Sequence, residues 1–129
     1  MSVTVQVAAP LVGEKPKWLL MNDRMNWRAK APITKAWRTA AAVAAGEVTE
    51  AVEPPVHLTI TAHRTGRAID ADAVASTAKA CIDGLVDAGV LVDDSPKYVH
   101  AVTYVTAPKS DQDTLHITVN QCATHCTTV

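Results

Sequence analysis

Asp70 and Asp72, one residue apart, are followed by Lys79 and then by the adjacent pair Asp93-Asp94. Two carboxylates at that spacing can hold one hard cation where the backbone bends. A third completes a site for Mg²⁺, which prefers oxygen ligands and keeps several waters. Such a site suits phosphodiester hydrolysis. The ester is anionic and resists attack by water, and a cation on a non-bridging oxygen offsets the developing charge and lowers the pKa of a bound water. A lysine within reach would stabilise the anionic transition state. Clustered carboxylates are also poor neighbours without a counter-charge. The purely structural alternative has Asp70 capping a helix, Asp93-Asp94-Ser95-Pro96 as a polar turn, and Lys79 paired with Asp83 at i+4.

The element between these acids must do the positioning. From Asp72, at about 100° per residue, Ser76, Lys79, Asp83 and Asp87 fall in one polar stripe, with Val74, Ala78, Cys81, Ile82, Leu85 and Val86 opposite. The spacing predicts an amphipathic helix over residues 71–88, stopped at Gly89. Val90-Leu91-Val92 is then a short return that can bring an aspartate of the Asp93-Asp94 pair back near the helix. Asp83 and Asp87 read as surface residues beside the site rather than ligands.

A second group is basic and aromatic. Between residues 15 and 38 there are seven Lys or Arg against one acid, Asp23. Asn22, Arg24, Asn26, Trp27, Arg28 and Lys30 read as a loop that tracks phosphates and stacks on bases, with Lys35 and Arg38 beyond it. Arg64 and Arg67 flank Gly66 just before Asp70 and are further candidates for phosphate contact. Net charge is only −1, yet residues 1–67 carry nine basic and five acidic residues and residues 68–129 carry three and eight. A basic segment facing an acidic pocket fits a chain that grips a phosphate backbone and holds a cation. The alternative for the loop is Trp27 tucked into the core. Trp37, inside an Ala-rich stretch, reads as core.

The remaining chain supplies a scaffold. Alternation predicts strands at residues 3–7, 56–62, 99–105 and 115–119, with residues 18–21 a short strand or extended arm. Residues 10–16 read as a connector and residues 22–31 as a loop, because Pro32 argues against helix before it. A helix is expected over residues 33–46 with Thr34 as its cap, and a turn at residues 109–113. The expectation is a single α+β domain over residues 1–129, with a mixed β-sheet, two main helices on one face, and a flexible tail from residue 120. No apolar run approaches the roughly 18 residues of a membrane span, and no signal-peptide pattern opens the chain, so a cytoplasmic location and no membrane partner are expected. Three cysteines suggest no disulfide framework, and Cys122, His125 and Cys126 fall short of the four ligands of a structural zinc. No Gly-rich phosphate loop indicates a nucleotide cofactor.

The run Asp70-Ala-Asp72, Thr77-Ala-Lys79, Ile82-Asp-Gly-Leu-Val-Asp-Ala-Gly-Val90 and Asp93-Asp94 resembles the RusA-type Holliday-junction resolvases, above all versions carried by phages and prophages of actinobacteria. The stretches Asn22-Asp-Arg24-Met-Asn26-Trp27-Arg28-Ala-Lys30 and Thr34-Lys35-Ala-Trp37-Arg38 agree, so the resemblance runs from about residue 19 to 119. It implies a RusA-like fold and a magnesium-dependent endodeoxyribonuclease that resolves four-way DNA junctions in recombination and repair, with Mn²⁺ a substitute metal. It implies Asp70, Asp72 and Asp94 as metal ligands, Lys79 as the catalytic lysine, and a homodimer whose two sites cut two strands. One departure stands out: the family has Asn directly after the second aspartate, and here that position is Ala73. A non-catalytic branched-DNA-binding protein of the same fold, or a flap or branch nuclease, is the alternative.

Overall fold

The computed structural model describes residues 2–20, 26–50, 52–66 and 71–122, with Asp72 described in its backbone alone. Strands β1 (Ser2–Ala8), β4 (Val56–His63), β5 (Val99–Val105) and β6 (Thr114–Gln121) form one sheet in the order β1-β6-β4-β5. β6 runs antiparallel to both β1 and β4, and β4 and β5 are parallel, so the sheet is mixed. A parallel pair needs a long crossover, and here α2 (Ala75–Asp87) supplies it. The fold is a small single-domain α+β structure with a four-stranded mixed sheet and two helices, as expected.

Period-two alternation decides which face of the sheet is dry. The row Val3, Val119, Leu58 and the row Val5, Ile117, Ile60 run across three strands in register, and all six side chains are buried. Their sequence neighbours Thr4, Thr118 and Thr59 line up on the opposite, polar face. Helix α1 (Trp27–Ala45) buries Ile33, Trp37, Ala41 and Ala45, a stripe with a step of four. α2 buries Ala78, Cys81, Ile82 and Leu85 into the same core. The helices cross at Gly84, where an added Cβ would lie 2.4 Å from the Arg38 carbonyl oxygen and 2.8 Å from Ala41 Cβ. A side chain there would push the helices apart, so this glycine sets the depth of the crossing.

Three expectations need correction. The first helix starts at Trp27, not after Pro32, and its cap is Asn26, not Thr34. Asn26 Oδ1 accepts from Ala29 N at 3.0 Å, and its carbonyl accepts from Ala29 and Lys30 N at 3.1 Å each, so the first turn is satisfied before the proline is reached. Pro32 sits within the helix and leaves the Arg28 carbonyl without its i+4 donor, a cost the cap and the buried stripe offset. Residues 26–31, expected as loop, are therefore cap and helix. The connector at residues 10–16 contains a two-stranded ribbon, β2 (Leu11–Val12) with β3 (Lys15–Pro16), turned by Gly13 at φ +80°. Asn120 and Gln121, assigned to a flexible tail, extend β6, and Cys122 N still donates to the Pro55 carbonyl. Residues 18–20 pack without strand pairing.

Candidate active site

α2 is introduced by a 3-10 turn, Ala71–Val74, which contains Asp72. Lys79 stands on the outward side of α2, its side chain 60% exposed, and donates to Asp83 Oδ1 at 3.0 Å and to Asp94. Both the i+4 pairing and the return of Asp94 to the helix are therefore present. The return is built locally. Gly89 adopts φ +82°, which a residue with a Cβ rarely takes. Val90 N and Leu91 N then both donate to the Leu85 carbonyl, at 3.0 and 3.3 Å, and Leu91 is buried beneath the turn. Asp94 N donates to Asp93 Oδ1 at 2.9 Å, which fixes the acid pair against each other. Tyr98 and Val99 N close on the Ser95 carbonyl at 2.9 Å, and the chain enters β5.

Electrostatics follow from these contacts. The hydrogen bond from Lys79 holds the Asp94 carboxyl below the usual carboxylate range, with the lysine's charge adding to it. In return the Asp94 bond, then the Asp83 bond, raises the Lys79 ammonium against a small opposing effect of burial. Lys79 and Asp94 form the charged rim of a groove of about 230 Å³ whose remaining walls are Ile82, Val99, Val102 and Tyr104. The groove lies on the helix side of the sheet, against the edge strand β5.

Of the other expected site residues, Arg24, Arg67, Asp70 and also Asn22 lie outside the described residues, as does the Asp72 side chain. Leu19 is nevertheless anchored beside the site. Leu19 N donates to Thr77 Oγ1 at 2.9 Å, and that hydroxyl donates back to the Leu19 carbonyl at 2.6 Å, two positions from Lys79. Thr77 is fully buried, and no periodicity marks it as an anchor.

The basic group is a helix face. Trp27 is 72% exposed, so it is not part of the core, and the Arg28 guanidinium carbon lies 5.5 Å from its ring centroid. Trp27, Lys30, Ala31, Thr34, Lys35 and Arg38 line one open depression of about 480 Å³ along α1. Arg38 is already engaged there. Its Nε and Nη2 donate to Asp87 at 2.6 and 2.8 Å, a bidentate pair that holds the Asp87 carboxyl low and ties α1 to α2. Trp37 is fully buried, packs 4.8 Å from Trp18 and donates through Nε1 to the Lys17 carbonyl at 2.7 Å.

Arg64 lies 5.7 Å from the Trp18 ring centroid, and its loop is organised by Asp113, a residue of the expected turn at residues 109–113. Asp113 accepts from Thr65 N and Trp18 Nε1 at 3.2 Å and from Thr65 Oγ1 at 3.0 Å. Ser110 N adds a bond to the Arg64 carbonyl at 2.9 Å. Arg64, Gly66, Lys109 and Ala71 line a small cleft at the entrance to the 3-10 turn. Ala73, where the resemblance has Asn, is buried. An amide at that position would need a partner, since a buried unpaired polar group costs about 1–3 kcal/mol.

No protein-family model matches the chain, and no curated protein matches it.

Proposed function

We propose that this protein is a magnesium-dependent, structure-selective endodeoxyribonuclease acting on four-way DNA junctions as a homodimer. The observation that carries the reading is the meeting of Lys79 and Asp94, fifteen residues apart, across the end of α2. A lysine beside an aspartate at the rim of one groove offers a cationic donor for a phosphate oxygen and an oxygen ligand for a cation. The remaining support is the residue pattern around it and the basic face of α1.

The donor set fits a hard cation: all three candidate ligands, Asp70, Asp72 and Asp94, are carboxylates, and the one whose side chain is described is kept ionised by its lysine. When bound, Mg²⁺ would supply charge neutralisation on the scissile phosphate and a more acidic water. Lys79 would bind a phosphate oxygen and hold a positive charge beside it as the transition state forms. Asp83, bonded to the same ammonium, would remain a partner for Lys79 if Asp94 served as ligand. Trp27, Arg28, Lys30 and Lys35 would carry the DNA arms, their exposed helix face offering phosphate contacts and one aromatic platform. Two-fold symmetry of a dimer would match the two-fold symmetry of a junction that must be cut on two strands.

The buried Ala73 favours one competing reading, a branched-DNA-binding protein without catalysis. Incubating the purified protein with a labelled four-way junction separates them. Mg²⁺-dependent paired incision supports the nuclease, and tight binding with no product under Mg²⁺ or Mn²⁺ supports the competitor. A protein that neither binds nor cuts the junction removes both.

A further inference from the structure

The open face of the sheet carries a feature the proposed nuclease does not use. β4 and β6 pair with Thr61 opposite His116 and His63 opposite Thr114, so the two histidines are diagonal neighbours on the polar side, away from both helices. Their ring centroids lie 4.3 Å apart with planes tilted by 49°. Both side chains are half-buried, and they line an open depression of about 360 Å³ together with Gln6, Ser110, Asp111, Gln112 and Thr114. From this geometry we infer that His63 and His116 form a two-imidazole site for a divalent transition metal that takes ligands at right angles, of the Ni²⁺ or Cu²⁺ class.

Metal–nitrogen bonds of about 2.0–2.1 Å would put two imidazoles bound side by side on one ion at a centroid separation of roughly 4.5 Å for a right-angle arrangement. The observed spacing already matches. The residual requirement is rotation about the second side-chain torsion, which is soft for histidine. Strand pairing fixes both backbones, so little ordering is left for the ion to impose. A neutral ring is the ligating form, and His116 is kept neutral by burial and by its histidine neighbour. Imidazole suits Zn²⁺, Ni²⁺ and Cu²⁺, whereas Mg²⁺ demands oxygen. Among the described residues no third His, Cys, Asp or Glu joins the pair in a metal-holding group. Such a site binds a labile ion or a metal-bound ligand on this face rather than holding the fold together.

The test uses the whole chain with labelled histidine rings, titrated with Ni²⁺ alone and followed by NMR. The expected result is that the His63 and His116 ring signals broaden together at substoichiometric Ni²⁺, ahead of His57, His100 and His125. His63→Gln or His116→Gln should weaken Ni²⁺ affinity at least about tenfold, the loss expected for removing a ligand, given that even outer partners of a ligand cost 10–100-fold. Broadening led by His125, or spread evenly over the five histidines, would overturn the assignment. So would unchanged affinity in both variants. The wild-type broadening order is decisive even where a variant folds poorly.

Discussion

At the scale of single residues, charge pairing links the candidate site to the helix packing. Lys79 reaches Asp83 and Asp94, while Arg38 reaches Asp87 one turn further along α2. Arg38 illustrates what residue type alone does not reveal. Its guanidinium is in a bidentate contact with a carboxylate, so any phosphate it meets must compete with Asp87. The pair has a defined pH signature. Arg38 lowers the Asp87 carboxyl below its unfolded value, so the stabilisation is present above the unfolded pKa of about 4 and is lost as pH falls through the lower folded value. Thermal melts of wild type and Asp87→Asn should differ by a constant, small margin from about pH 5 to 8 and converge below the unfolded value of about 4. A margin that persists at pH 2 would assign the effect to something other than this ion pair.

At the scale of elements, two positions decide how the helices form and meet. Gly84→Ala should destabilise the protein by about 1–3 kcal/mol, since the new methyl meets backbone that cannot yield. Chemical denaturation measures it, and a neutral result would mean the helices slide apart without cost. Pro32→Ala should act in the opposite sense. It restores a donor to the Arg28 carbonyl in an exposed part of α1 and should raise Tm, with a gain in stability of up to the roughly 3 kcal/mol a proline costs inside a helix. A lower Tm would show that the proline's restriction of the unfolded chain outweighs its strain. The same elements show how legible the chain is. The strands, the run of α2 and its stop at Gly89 follow from alternation, helical spacing and one glycine, because each is set by local pattern. The start of α1 is not legible that way. Pro32 is the loudest local signal, and the Asn26 cap that overrides it is one polar residue among several in a polar stretch.

At the scale of the whole molecule, the sheet has two different faces. The helix side holds the Lys79–Asp94 groove, and the opposite side holds the histidine pair. The return of the Asp93-Asp94 pair toward α2 was legible because a short return after a glycine stop leaves the chain few places to go, whereas the pairing of Lys79 with Asp94 was not. The roles of Thr77 and Asp113 were not, because each acts through partners dozens of residues away that no local pattern connects. No described helix is long and apolar enough to cross a membrane. Charge is also partitioned, with Lys30, Lys35 and Arg38 of α1 lining one depression. Replacing Arg28, Lys30 and Lys35 together by Ala should weaken junction binding and flatten the log–log salt dependence by roughly 0.9 for each phosphate contact removed. A salt slope equal to wild type would place the DNA surface elsewhere.

Single-turnover cleavage of a labelled four-way junction decides whether Lys79 and Asp94 belong to a metal-dependent nuclease site, as proposed. Wild type, Lys79→Met and Asp94→Asn should be compared under Mg²⁺, with junction affinity measured in parallel. Wild type should cut, Asp94→Asn should yield no product, and Lys79→Met should be slower by about 10²–10³-fold, the loss typical of removing one charge-stabilising donor. All three should bind the junction. Cleavage by both variants at the wild-type rate, or no metal-dependent cleavage by the folded wild type, would contradict the account.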